Sequence, residues 1–131
     1  MAATFNFELV TPERLVFAGE ASQVVVPGAE GDFAVLAGHS PFISTLRPGI
    51  LDVTLPQGRQ QLLVKKGVAE ADPDRLTVLA QSAVPLDELH GERLAGELKA
   101  AEAQLAEAKD DQARMVAETL VDVLKRVQLK G

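Results

Sequence analysis

The sequence predicts an α+β chain, with an N-terminal antiparallel β-sandwich or flattened barrel over residues 1–84 and a C-terminal antiparallel two-helix hairpin over 85–131. Three observations carry this. Short β-prone runs recur as far as Val84, each bounded by Pro, Gly, Asn or Asp turn signals. After Pro85 proline disappears and Ala, Glu, Leu and Lys dominate. The spacing of apolar residues changes at the same place, from alternation to steps of three and four.

The run TFNFELV sets Phe5, Phe7 and Leu9 against Asn6 and Glu8, the alternation of a half-buried strand. Further strands are predicted at 15–17, 22–26, 33–36, 42–46, 50–55, 60–66, 67–71 and 76–80. Turns fall at Pro27-Gly28, Ala37-Gly38, Pro48-Gly49, Pro56-Gln57-Gly58 and Asp72-Pro73-Asp74. No helix is expected between these strands, and short runs at this spacing close best as a sandwich. In the second half, Leu94, Leu98, Ala101, Leu105 and Ala108 lie on one helical stripe, and Val116, Leu120, Val123 and Val127 on another. Asp110 or Asp111 is placed to cap the second helix, and the short link between stripes implies an antiparallel hairpin. Gly91 and Gly96 each cost a helix interior roughly 1 kcal/mol relative to Ala, so the first helix should be weak in its opening turns.

With 131 residues, 47% of them hydrophobic, the chain can build one compact core and a small appendage. The formal charge of −6 has the wrong sign for a phosphate-neutralising surface, and without Trp or Tyr there is little to stack on bases, so nucleic acid is not expected as a partner. Cysteine is absent, which excludes a disulfide framework and Cys-ligated metal sites. The N-terminus lacks the basic and long apolar regions of a signal peptide, and no apolar run approaches the ~18 residues of a membrane span. Charge also divides the hairpin: residues 85–113 carry three basic and eight acidic groups, net −5, whereas 114–131 carry four basic and two acidic, net +2. The cations Arg114, Lys125, Arg126 and Lys130 either complement the dipole of the second helix or dock on an acidic surface, here or on a partner.

The segment from Val24 to Leu51 concentrates glycine, proline and His39. No lysine follows Gly28 and Gly31, and a strand rather than a helix comes next, so it is not a phosphate cradle. Gly38-His39-Ser40-Pro41-Phe42 has Phe where a nucleophile elbow needs its second glycine. With His90 as the one other histidine, a multi-histidine metal site is excluded and a His-based acid/base pair finds no support. The remaining reading is presentational. Fixed-φ proline and permissive glycine shape tight corners, and Glu30, Asp32, His39 and Ser40 stand as one polar tip on a rigid scaffold. His39 is also readable as a turn residue whose ring hydrogen-bonds nearby backbone.

Element order and this loop together resemble the ε subunit family of bacterial rotary F-type ATP synthases, equivalent to the mitochondrial δ subunit. The resemblance lies in FELVTPERLVFAGEA (7–21), VPGAEGDFAVLAGHSPFISTLRPGIL (26–51), KKGVAEADPDRLTVLAQSA (65–83) and LDE (86–88), and covers essentially the whole chain. It implies a non-catalytic subunit of the central stalk, its sandwich held by the γ subunit and resting on the c-ring, helping to pass torque to the catalytic head. It implies that Glu30, Gly31, Asp32, His39 and Ser40 face γ and the c-ring. It implies further that the hairpin can extend toward the α and β subunits and oppose ATP hydrolysis through Arg114, Lys125, Arg126 and Lys130. Members that bind ATP in the hairpin carry [IL]-D-x-x-R-A; here Leu86-Asp87-Glu88-Leu89-His90-Gly91 replaces Arg with His and Ala with Gly, which argues against nucleotide at Asp87 and His90. No cofactor is expected, and membrane association is expected only through the complex, at the cytoplasmic face of a bacterial inner membrane. The alternatives are a free-standing β-sandwich ligand-binding module with a helical dimerisation tail, and a small hydrolase using His39.

Overall fold

The computed structural model describes residues 3–130, the side chain of Lys130 excepted. Ten strands precede the helices: β1 (Phe5–Thr11), β2 (Arg14–Ala21), β3 (Gln23–Gly28), β4 (Gly31–Leu36), β5 (Phe42–Thr45), β6 (Gly49–Leu55), β7 (Gly58–Val64), β8 (Gly67–Asp72), β9 (Arg75–Ala80) and β10 (Ala83–Pro85). They form two five-stranded sheets, ordered β2-β1-β9-β8-β5 and β10-β7-β6-β3-β4. Pairing is antiparallel except between β1 and β9, which run parallel. This exception to the expected antiparallel pattern involves strands far apart in sequence, so no hairpin turn dictates their direction.

Alternation does what the sequence implies. Phe5, Phe7 and Leu9 point inward with Leu76 and Val78 and meet Val24, Val26, Leu51, Val53, Leu62 and Val64 from the facing sheet. The second strand is longer than expected, because β2 continues past Phe17 through Gly19 to pair Ala21 with Phe5. Ala83–Pro85 adds an unexpected tenth strand beside β7.

A short 3-10 turn, Leu86–Glu88, leads into α1 (Gly91–Glu107) and then α2 (Asp111–Lys130). Gly91 is the first residue of α1, with φ +56. In that left-handed conformation glycine is favoured, so the residue read as a weakness inside the helix is what lets the chain enter it. Asp110 caps α2, its Oδ1 accepting from the Ala113 N–H at 2.7 Å. Val116 is 39% exposed and off the buried stripe; Ala117, Leu120, Val121 and Leu124 take the inner face instead.

The hairpin lies on the outer face of the sheet that contains β6 and β7. β7 is therefore buried on both sides, Leu62 and Val64 facing the sandwich core and Leu63 facing the helices. Leu63, Val84 and Leu89 join Leu94, Ala101, Leu120 and Leu124 in a second apolar cluster.

Candidate functional site

The residues expected to form one polar tip are split between the two ends of the sandwich. Glu30 lies in the β3–β4 turn and Gly31 and Asp32 open β4, whereas His39 and Ser40 follow the far end of β4. The five residue steps of β4, at about 3.3 Å each, put those ends roughly 17 Å apart. The near end is tied to β5 by the Ala29 N–H donating to the Thr45 carbonyl at 2.9 Å, and the far end to the β8–β9 turn by the Gly38 N–H donating to the Pro73 carbonyl at 3.1 Å. A sequence run joins these residues, but a strand between them keeps them separate.

His39 is held inside its own chain. Its Nδ1 lies 2.6 Å from the Leu36 carbonyl oxygen and its Nε2 3.3 Å from that of Arg75. The ring packs edge-on against Phe5 at 5.5 Å and lies near Phe42. Among the described residues its hydrogen-bond partners include no carboxylate or hydroxyl, the acid/base companion a His39 hydrolase requires. Gly38, with φ +80, makes the bend that presents the ring.

At the near end, Asp32 accepts from Arg47 Nη2 at 2.6 Å while Arg47 Nη1 donates to the Gly28 carbonyl at 3.2 Å. Arg47 thereby fastens the β3–β4 turn to the corner before β6. Gly28 and Gly49 have ordinary φ values, and their role there is space. A Cβ at Gly28 would sit 2.7 Å from the Phe33 ring, and one at Gly49 2.7 Å from the Pro27 Cβ.

A cleft of about 500 Å³ lies between this corner and the hairpin, and it gathers residues expected to have separate roles, Asp32, Asp87, His90 and Arg126, together with Arg47 and Asp52. Asp52 is occupied, accepting from Arg59 Nε at 2.8 Å; that hydrogen bond and the aspartate charge hold the guanidinium above its ordinary pKa. Asp87, His90 and Arg126 have no side-chain hydrogen bond among the described residues. Arg114 and Lys125 are exposed and eleven residues apart, about 20° around α2, so they share a face. Arg126 is turned about 100° from Lys125, toward the cleft. The side chain of Lys130 lies outside the described residues.

One surface was not singled out from the sequence. Register places Leu15, Val10, Leu79 and Val68 side by side across β2, β1, β9 and β8 on the outer face of the first sheet. Leu15 is 54% and Leu79 44% exposed. The adjoining row contains Glu8 and Glu70, with exposed Ile43 beyond on β5. The signal was present in the outward positions of four strands, but only their mutual register turns four separate aliphatics into a row. The hairpin covers the other sheet and leaves this face open.

Residues 4–86 match the family model described as ATP synthase, Delta/Epsilon chain, beta-sandwich domain. The chain is 46% identical over 129 residues to the ATP synthase epsilon chain of Parvibaculum lavamentivorans, covering 98% of each. It is 48% identical over 126 residues to that of a Bradyrhizobium species, covering 96% of this chain and 93% of the relative. Among solved structures it resembles a chain of the Euglena gracilis mitochondrial ATP synthase, in an assembly of OSCP, F1 and c-ring, with a TM-score of 0.73, 26% identity and coverage of 95% of this chain and 79% of that one. A chain from the central stalk and c-ring of the Tetrahymena thermophila mitochondrial enzyme shares the fold, with a TM-score of 0.70 and 10% identity. A closed sandwich carrying a helical hairpin, matched along nearly its whole length by these relatives, means that the chain belongs to the ATP synthase epsilon chain family.

Proposed function

We propose that this chain is a non-catalytic subunit of the central, rotating stalk of a proton-translocating F-type ATP synthase. The observation that carries the reading is the near full-length match to epsilon chains, with a structural neighbour drawn from an F1 and c-ring assembly. The geometry supports it. A sandwich closed around fully buried Phe7, Leu9, Leu51 and Leu76 resists shear, as a part that transmits torque must.

In this reading the β3–β4 turn, with Glu30, Gly31 and Asp32 braced by Arg47, meets the c-ring, and the open aliphatic row on the first sheet is gripped by γ. His39 and Ser40 belong to a second, distant contact, where the clasped ring shapes the loop and Ser40 is exposed. Arg114, Lys125, Arg126 and Lys130 serve the hairpin when it reaches toward the α and β subunits to oppose hydrolysis. No helix among the described residues is long and apolar enough to cross a membrane, so the chain's place at the cytoplasmic face of a bacterial inner membrane comes through its partners. The test is affinity capture of the tagged chain from detergent-solubilised native membranes. Co-recovery of α, β, γ and c in fixed proportion is the expected result, and recovery of a homodimer alone would favour the free-standing module.

A further inference from the structure

The hairpin is joined to the sandwich by one ion pair among the described residues. Lys65 Nζ lies 2.5 Å from Glu97 Oε1, with side chains 31% and 22% exposed. The other pairs stay within one part: Asp32 with Arg47 and Asp52 with Arg59 in the sandwich, Glu88 with Arg93 at the entry to the hairpin. Glu97 has Arg93 one turn earlier on its own helix, the spacing of an i, i+4 pair. Arg93 nevertheless goes to Glu88 at 3.2 Å, and Glu97 reaches across to the sandwich.

The two ends of this contact are held very differently. Lys65 sits on the crossover from β7 to β8, where the Gln81 N–H donates to the Lys66 carbonyl at 2.8 Å and the Leu46 N–H to that of Gly67 at 3.0 Å. A Cβ added at Gly67 would overlap the Leu79 carbonyl, so the crossover is closely packed against β9. Glu97 rides on a helix whose entry depends on Gly91 and whose buried stripe includes Ala101. Among the described residues the remaining adhesion between the parts is apolar and non-directional. A charge pair fixed on one side to a stiff corner supplies the register that greasy contact lacks.

We propose that Lys65 and Glu97 form a latch that selects the docked position of the hairpin, so that releasing the pair frees the hairpin while leaving both parts folded. The proposal rests on the reading of the hairpin as a two-position regulatory element. Because the pair is mostly shielded but not sealed, its loss raises the undocked fraction about tenfold, between the small effect of an exposed pair and the large one of a buried pair.

The chain has no cysteine, so Gln57→Cys and Ala103→Cys, at exposed positions of the β6–β7 turn and α1, carry a unique spin-label pair. Pulsed dipolar spectroscopy on the full chain should give one short distance distribution. Glu97→Lys should add a long component, and Lys65→Glu with Glu97→Lys should remove it again. Glu102→Lys, exposed on the same helix, controls for net charge and should change nothing. If Glu97→Lys loses helicity by circular dichroism, Glu97→Gln replaces it and should open the hairpin in the same direction but less. An unchanged distribution in the single variant, or a swap that stays open, overturns the latch. ATPase assays of the enzyme assembled with the same variants separate the two readings: distances that respond while hydrolysis does not would keep the latch and refute the inhibitory role.

Discussion

The sandwich and the hairpin bury their apolar surface by different means. Both layers of the sandwich core come from the same closed body, with Phe7, Leu9, Val24 and Leu76 fully buried between sheets that brace each other. The hairpin's inner face is completed from outside itself, since Leu63, Val84 and Ile50 of the sandwich join its cluster. One part is therefore held by its own closure, and the other is held in place by the sandwich on which it docks. The same chain thus combines an element closed on itself with one seated on another's surface.

The most severe way to break this contrast is at Phe7. Phe7→Ala removes a fully buried ring from the sandwich and should cost about 3–5 kcal/mol, with strand and helix signals lost in one transition during denaturant titration. Leu63→Ala sharpens the contrast instead. It should cost about 2–4 kcal/mol of docking, seen as faster amide exchange along α1 and α2 with little change in β1 and β9. Asp110→Ala removes the cap of α2 and should cost about 1 kcal/mol, confined to exchange in the first turn of that helix. Arg47→Ala should change stability by less than about 1 kcal/mol, since its partner Asp32 is 58% exposed. Its larger effect is expected on capture of the partner subunits, because the β3–β4 turn loses its brace.

The smallest expected effect concerns nucleotide. Titration calorimetry of the isolated chain with ATP should give no heat of binding at millimolar concentration. Asp32, Asp52 and Asp87 surround the cleft, and Arg47 and Arg59 are already engaged by two of these carboxylates. Deleting residues 86–131 tests the hairpin on its partners: the assembled enzyme should hydrolyse ATP faster than with the full chain.

Much of the fold was legible because it rests on local pattern. Phe5, Phe7 and Leu9 alternate regardless of what they pair with, and Leu94, Leu98, Ala101 and Leu105 keep helical spacing wherever the helix docks. Val116 misled because spacing defines a stripe only to within a residue, and the neighbouring Ala117 is the one that is buried. Gly91 misled because glycine lowers helix propensity but also suits a helix entry, and φ alone tells the two apart.

The sequence by itself determined the two-part architecture and the family, since these follow from periodicity and motif. Tertiary structure decided which residues share a surface. It separated Asp32 from His39, gathered Asp87, His90 and Arg126 around one cleft, aligned Leu15, Val10, Leu79 and Val68, and brought Lys65 to Glu97. The reason is that strand register and sheet packing join positions far apart in the chain, and such pairings leave no trace in the local spacing of residues.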